Sequence, residues 1–176
     1  MNRRDLYRFG TLALGGLVTL ALAVPGVAYL FDPILRKKKG QEQDYEELTT
    51  VSRLKVGVPE VFPIIEERLD AWVKYPREPV GSVWLVRQPP GTKPEVLAFS
   101  AECPHLGCAV NLSADRQSFF CPCHTSNFHF DGTRINTIPP RGMDKLDVRL
   151  SNDTDPKVAV RFQRFRVQST ESIPLV

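Results

Sequence analysis

Residues 103–108 read CPHLGC, and residues 121–126 read CPCHTS. These two boxes contain all four cysteines of the chain and two of its three histidines. Disulfides that stabilise a small fold are expected to be spread along the chain, so a cluster this tight indicates a cofactor site. The fold must therefore bring together the pattern C-x-H-x-x-C, twelve intervening residues, and C-x-C-H.

Three kinds of site are compatible with the residue types in the two boxes. A tetrahedral zinc site could take one cysteine and one histidine from each box, but the second cysteine of each box would then have no role. Two disulfides would use every cysteine and leave both histidines unexplained. A [2Fe–2S] cluster with mixed cysteine and histidine ligands, together with one disulfide, gives all six residues a role.

An uncharged segment occupies residues 10–31, GTLALGGLVTLALAVPGVAYLF. As a helix rising about 1.5 Å per residue it is about 33 Å long, which is enough for a bilayer hydrocarbon core of roughly 30 Å. Residues 1–9 include adjacent arginines, Arg3 and Arg4, and resemble a twin-arginine export signal. We therefore expect a cytoplasmic segment at 1–9 and a single-pass anchor at 10–31, in a bacterial cytoplasmic membrane with the head on the periplasmic side.

Two features of the flanks leave alternatives open. The tripeptide ALA at 21–23 resembles a signal-peptidase site, but the apolar run continues for eight residues beyond Ala23, which favours a retained anchor. Basic residues stand on both sides of the segment, including the run RKKK at 36–39, so the distribution of positive charge does not settle the topology.

The remainder of the chain predicts a tether and an all-β head. Residues 32–50 change from basic to acidic without an apolar period, which is typical of a flexible linker. Over 51–176, short apolar runs are broken by Pro and Gly, as in an antiparallel β-sandwich or barrel. The weakly periodic stretch at 63–73, PIIEERLDAWV, fits either a short helix or two short strands. After Phe162 the alternation slips by one residue, which predicts a bulge or a separate strand.

Charge and the third histidine point to no further site. The net charge is +3, and apart from the run at 36–39 the basic residues are scattered, so no nucleic-acid surface is expected. His129 lies just beyond the second box, and we interpret it as an exposed histidine of a surface strand.

The two boxes resemble those of the Rieske iron–sulfur proteins, specifically the quinol-oxidising type. The resemblance extends from the anchor through the head and is sharpest over 102–145. It implies four ligands to a [2Fe–2S] cluster, with the cysteines on one iron and the histidines on the other: Cys103, Cys121, His105 and His124. It also implies a disulfide between Cys108 and Cys123, which fits an oxidising compartment.

The resemblance assigns roles to further positions. Ser126 matches the serine that donates its hydroxyl to a bridging sulfide. Leu106 matches the apolar residue that shields the cluster, and Gly107 permits a tight turn. The run PPRG at 139–142 resembles the proline loop that closes over the cluster.

This chain departs from the family pattern at two positions. Thr125 replaces the usual glycine of the second box, so the backbone there must accept a side chain. Phe128 replaces a tyrosine whose hydroxyl bonds a ligand sulfur in high-potential members. Losing that donor should lower the potential of the cluster, which predicts a low-potential quinol such as menaquinol as the electron donor.

The resemblance implies a subunit of a cytochrome bc-type quinol:cytochrome c oxidoreductase. In that role the edge formed by His105 and His124 takes an electron and a proton from quinol. The implied partners are a cytochrome b-type subunit, a c-type cytochrome and the lipid membrane, in a dimeric complex. The alternatives are the small Rieske subunit of a periplasmic molybdenum enzyme such as arsenite oxidase, and a membrane-tethered zinc and disulfide module without redox function.

Overall fold

The computed structural model describes residues 2–35, 45–67, 69–70 and 73–175. They fall into two compact units, Met1–Glu42 and Gln43–Val176. The first unit is helical and the second is built from β-strands, as the sequence predicts.

The first unit consists of one helix, α1, which spans Arg3–Leu35. It contains the predicted span of 10–31 and continues at both ends. The apolar side chains from Leu6 to Phe31 are exposed, as expected for a surface that meets lipid. Thr19 donates its hydroxyl to the carbonyl of Gly15, so this polar group is satisfied within the helix. Within the described residues, α1 is the one helix long and apolar enough to cross a membrane.

The described residues of the second unit form eleven short strands in three antiparallel sheets. The strands are β1 Glu46–Thr50, β2 Pro59–Glu66, β3 Leu69–Asp70, β4 Val73–Lys74, β5 Glu78–Arg87, β6 Val96–Ser100, β7 Asn111–Leu112, β8 Phe119–Cys121, β9 Ser126–Phe128, β10 Lys145–Leu150 and β11 Lys157–Arg161. The main sheet has the order β1-β11-β10-β6-β5-β2. A three-stranded sheet has the order β7-β8-β9, and β3 pairs with β4.

The predicted boundary between tether and head is wrong at its C-terminal side. Residues 46–50 are β1, an edge strand that pairs with β11 through Glu46↔Val160 and Thr50↔Lys157. Leu48 packs against the core from this strand. One apolar residue among four polar ones gives no detectable period, which is why the strand escapes a sequence-based prediction. The remainder of the predicted tether, residues 36–44, lies outside the described residues.

The structure resolves the two ambiguous stretches of the sequence. In the stretch at 63–73, β2 continues to Glu66, and Leu69 of β3 and Val73 of β4 pair with Lys74 and Asp70, respectively. At the predicted slip, β11 ends at Arg161, and Phe165 forms an isolated bridge with Pro174 instead of continuing the strand.

Strand β5 separates two hydrophobic cores. Val83 and Leu85 face one core, and Trp84 and Val86 face the other, because successive side chains of a strand point to opposite faces. The first core fills the base of the main sheet. The second lies beneath the two boxes and is rich in aromatic side chains: Trp84, Phe99, Phe119 and Phe128.

Both boxes belong to one excursion from the main sheet. Strand β6 ends at Ser100 and β10 begins at Lys145, yet the two strands are hydrogen-bonded neighbours, with Lys145 opposite Phe99. Residues 101–144 therefore leave the sheet and return to the adjacent strand, and they carry both boxes between these two points.

Candidate metal centre

The first box is a closed loop held by its own backbone. The N–H of Cys103 donates to the carbonyl of Cys108 at 2.8 Å, and the N–H of Gly107 donates to the carbonyl of Cys103 at 2.8 Å. Gly107 has a φ of 77°, a conformation that glycine adopts without strain. The glycine therefore has the predicted role in the turn. Residues 104–106 form the tip of the loop, and His105 lies on it.

The second box is the turn of the β8–β9 hairpin. Cys121 pairs with Ser126 across the hairpin, so residues 122–125 form the turn and carry His124. Thr125 has a φ of 60°, which places a β-branched side chain in the left-handed region. The expectation that the backbone accepts a side chain at the family's glycine position is confirmed. The cost of such a conformation for a non-glycine residue is about 1–2 kcal/mol.

A disulfide between Cys108 and Cys123 joins the two loops. Their Cα atoms are 6.6 Å apart, within the ordinary range for a disulfide. The Sγ atom of Cys121 lies within 4.8 Å of both disulfide sulfurs. Because the disulfide sulfurs are oxidised, Cys121 is the only one of these three cysteines that can supply a thiolate to a metal.

Two free cysteines, Cys103 and Cys121, lie buried between the loops. Burial raises the pKa of the Cys103 thiol, whereas the backbone N–H of His105 and the nearby hydroxyl of Ser126 favour its thiolate. Like burial, the neighbouring Cys121 raises the pKa of Cys103, because two adjacent thiolates repel each other. A bound cation would relieve this repulsion, so the pair suits a metal and not two isolated anions.

The two histidine rings of the boxes lie next to each other. Their ring centroids are 4.8 Å apart, and the ring planes are nearly perpendicular, at 86°. His124 is exposed and His105 is half-buried, so the imidazoles are open to solvent while the free thiols are enclosed. A centre held by all four side chains would be insulated on its sulfur side and accessible on its nitrogen side.

Ser126 has a buried hydroxyl without a hydrogen bond among the residues that the structure describes. A buried hydroxyl left unpaired is costly, so such a group calls for a partner. Its position beside Cys103 makes it available to an acceptor held between the thiols. The donor set therefore fits a sulfide-containing cluster, and the residues that would hold it are Cys103, Cys121, His105 and His124.

Other residues singled out in the sequence have different surroundings. Phe128 is fully buried in the second core. Leu106 is 45% exposed at the tip of the first loop, and its shielding role stays a prediction. His129 is exposed, as expected. The run at 139–142 is held by Arg134, which donates to the carbonyls of Pro139 and Pro140 at 2.9 and 3.1 Å.

The sequence analysis missed the polar side chains that support the loops. Asn136 and Asn127 both donate to the carbonyl of Thr125, at 2.7 and 3.3 Å. Arg141 forms a buried ion pair with Asp144. Asn136 and this ion pair lie in loops without periodicity, and Asn127 lies in the short strand β9. Their only sequence signal is their polar character.

Comparison with known proteins identifies the family. The model of the Rieske [2Fe–2S] domain matches residues 49–149. The chain belongs to the Rieske iron–sulfur family. Members of this family bind a [2Fe–2S] cluster with both cysteine and histidine ligands. The donor set between the two Rieske boxes fits that cofactor. A zinc site would leave Cys108 and Cys123 without a role.

Two curated relatives resemble this Rieske protein over most of its length. The menaquinol:cytochrome c reductase iron–sulfur subunit of Geobacillus thermodenitrificans is 31% identical over 147 residues, which cover 80% of both chains. The subunit of the same name from Bacillus subtilis is 32% identical over 143 residues, again covering 80% of each chain.

A solved structure has a similar head. The plasma-membrane Rieske protein of Synechocystis is 23% identical, with a TM-score of 0.44, and the match covers 66% of this chain and 99% of that one. The membership of this chain in the family rests on the sequence matches.

Proposed function

We propose that this Rieske protein is the electron-transfer subunit of a cytochrome bc-type complex, which accepts an electron and a proton from quinol and passes the electron to a c-type cytochrome. One observation carries the proposal: the rings of His105 and His124 lie 4.8 Å apart with access to solvent, whereas the free thiols of Cys103 and Cys121 are buried. The names of the curated relatives, which are iron–sulfur subunits of menaquinol:cytochrome c reductases, support it.

Each part of the site has a role in this reaction. A [2Fe–2S] cluster bound here supplies one-electron redox chemistry, at a potential of about −150 to +300 mV for the Rieske class. Cys103 and Cys121, which are buried, would hold the cluster on the side away from solvent. One of the exposed imidazoles accepts a hydrogen bond from the quinol hydroxyl and takes up its proton. Ser126 would donate its buried hydroxyl to the bound cluster and so favour the more negative, reduced state.

Menaquinol is the favoured substrate. Phe128 is fully buried in the second core and carries no hydroxyl, so it donates no hydrogen bond toward the ligand sulfurs. A centre with one donor fewer is expected to have a lower potential, because its reduced state lacks a stabilising dipole. A low-potential centre matches a low-potential quinol.

The proposed partners follow from this role. A cytochrome b-type subunit takes the second electron of quinol, and a c-type cytochrome takes the electron from the cluster. Helix α1 anchors the subunit in the bacterial cytoplasmic membrane, with the head on the periplasmic side of a dimeric complex. The segment between α1 and β1 is the tether on which the head moves between its partners. If shortening it left turnover unchanged, the tether hypothesis would be wrong.

Low-temperature electron paramagnetic resonance (EPR) on the purified full-length protein tests the proposal. We expect no signal as isolated, and a Rieske-type signal after a reduced menaquinone analogue or dithionite is added, with little signal after ascorbate. A colourless protein that contains zinc and gives no signal would overturn the proposal. Release of the protein from membranes by alkaline carbonate would instead favour the alternative, the small subunit of a periplasmic molybdenum enzyme.

A further inference from the structure

The chain after β11 folds back onto the part of the head that carries the Rieske boxes. Phe165 is buried in the first core and fixes the start of this return. The N–H of Arg166 then donates to the carbonyl of Ile173 at 2.8 Å, which closes the intervening residues into a loop. We call residues 166–173 the C-terminal strap.

The strap contacts the first Rieske box directly. The N–H of Gln168 donates to the carbonyl of Pro104 at 2.9 Å. A Cβ atom built on Gly107 would lie 3.7 Å from Cγ1 of Val167, so the valine packs against the glycine backbone. Pro104 and Gly107 lie on either side of His105 in this loop. The strap therefore holds the loop at two points that bracket a ligand.

A buried ion pair fixes the strap to the proline loop. Arg141 binds both carboxylate oxygens of Asp144, at 2.8 and 2.7 Å. The same guanidinium donates to the carbonyls of Ser169 and Arg166, at 2.5 and 2.9 Å. Asp144 in turn accepts the hydroxyl of Ser172 at 2.6 Å. The ion pair thus contacts the strap at three of its residues.

The ion pair is more than a stabilising contact. The side chains of Arg141 and Asp144 are only 7% and 4% exposed, and a pair so buried repays its desolvation only when its remaining donors and acceptors are satisfied. Here the partners that satisfy it are strap atoms. The two carbonyls bound by Arg141 belong to residues 166 and 169, which flank the two residues that contact the Rieske box. The ion pair therefore fixes the part of the strap that bears on the loop.

We propose that the C-terminal strap, fixed by the Arg141–Asp144 pair, is a positioning element that sets the orientation of His105 and retains the cluster. It acts through Pro104 and Gly107 without touching the redox centre. Residues that orient metal ligands from behind typically change metal affinity or activity by about 10–100-fold when they are removed. The inference rests on the family's cofactor and does not depend on which quinol or cytochrome is the partner.

Three substitutions in the full-length, cluster-loaded protein test the strap. Val167→Ala removes the contact with Gly107, Ser172→Ala removes one bond to the ion pair, and Arg141→Gln removes the guanidinium. Lys157→Gln is the matched control, because Lys157 pairs with Glu47 on the exposed face of β1 and β11 and also loses one positive charge. If Arg141→Gln does not fold, the first two variants decide.

Three measurements distinguish positioning from general stability. We expect release of iron to a chelator to accelerate about tenfold in Val167→Ala and Arg141→Gln, and less in Ser172→Ala. Amide exchange should accelerate at Cys103 and Gly107 but not in β10, and the EPR g-values of the reduced cluster should shift. Iron release and g-values that match the unsubstituted protein in all the strap variants that fold would overturn the inference. An equal acceleration in Lys157→Gln would overturn it as well.

Discussion

Asn136 holds the turn of the second Rieske box through the backbone of Thr125. Its amide nitrogen donates to the carbonyl of Thr125 at 2.7 Å, and its amide oxygen accepts the N–H of Asn127 at 3.4 Å. Asn136 thus takes the place of a neighbouring strand on this side of the hairpin. Thr125 adjoins His124, so the contact fixes a segment that carries a proposed ligand.

Replacing Asn136 with alanine should loosen this turn. The N–H of Asn127 loses its partner and the carbonyl of Thr125 loses the shorter of its two hydrogen bonds, so we expect the free energy of unfolding to fall by about 1–2 kcal/mol. The loss should be accompanied by faster release of the cluster. Chemical denaturation and iron release measure the two effects. Asn152→Ala, at an exposed position between β10 and β11, is the control and should change neither. Equal behaviour of the two variants would contradict a supporting role for Asn136.

The conformation of Thr125 predicts that glycine stabilises the turn. At a φ of 60° a side chain costs about 1–2 kcal/mol, so Thr125→Gly should raise the free energy of unfolding by about 1 kcal/mol. Thr125→Ala separates the causes, because it removes the hydroxyl bond to the carbonyl of His124 but keeps Cβ. We expect no gain from alanine. A gain of the same size in both variants would show that the hydroxyl, not the backbone, is the source of strain.

Phe128→Tyr should raise the midpoint potential of the cluster. The ring of Phe128 is fully buried next to the hairpin, so a new hydroxyl must find a partner or cost about 1–3 kcal/mol. A ligand sulfur would supply that partner and gain a hydrogen bond that favours the reduced state. Redox titration followed by EPR measures the change. Phe130→Tyr, on a ring that meets Phe119 in an edge-to-face contact, is the control and should leave the potential unchanged. An unchanged or lower potential in Phe128→Tyr would contradict the inference from Phe128 that the electron donor is menaquinol.

Ser126→Ala should lower the midpoint potential without destabilising the protein before the cluster is bound. The Ser126 hydroxyl is buried and unpaired among the described residues, so its removal costs the cluster-free fold little and can even stabilise it. In the loaded protein the same change removes a donor to the cluster. Redox titration of the loaded protein measures the potential, and chemical denaturation of the loaded and the cluster-free protein measures the stability. Ser100→Ala is the control, since Ser100 is equally buried but its hydroxyl accepts the N–H of Glu102. A lower potential in the control alone would contradict the role assigned to Ser126.

The sequence predicts those parts of the protein whose signals are local. The uncharged run at 10–31 predicts a helix, and the short apolar run within 80–88 predicts β5. The two boxes predict a common site because cysteine and histidine at such spacing are typical of a metal or cluster site. Even the strained backbone at Thr125 could be anticipated, because the family pattern requires glycine there.

The parts that could not be predicted depend on contacts distant in sequence. Strand β1 is recognisable only from its pairing with β11, about 110 residues away along the chain, as the ion pair between Glu47 and Lys157 illustrates. The contact of Gln168 with Pro104 joins two backbone groups, and any residue but proline can supply the donor. The ion pair between Arg141 and Asp144 has a spacing typical of many solvated loops, so its burial has no signature in the sequence.

The excursion at 101–144 begins and ends on two neighbouring strands, with Lys145 opposite Phe99. Its ends are thus about one strand spacing apart, roughly 4.8 Å. A segment with such close ends behaves as a cassette: it can be lengthened, shortened or exchanged while β6 and β10 keep their register. We therefore expect the residues around the ligands, and the tip of the first loop at 104–106, to vary in evolution inside this cassette while the supporting sheet changes little. A laboratory graft of 101–144 between the same two strands of another Rieske head would carry the ligands and their nearby donors with it, and the C-terminal strap would have to be transferred as well to hold His105 in the same way.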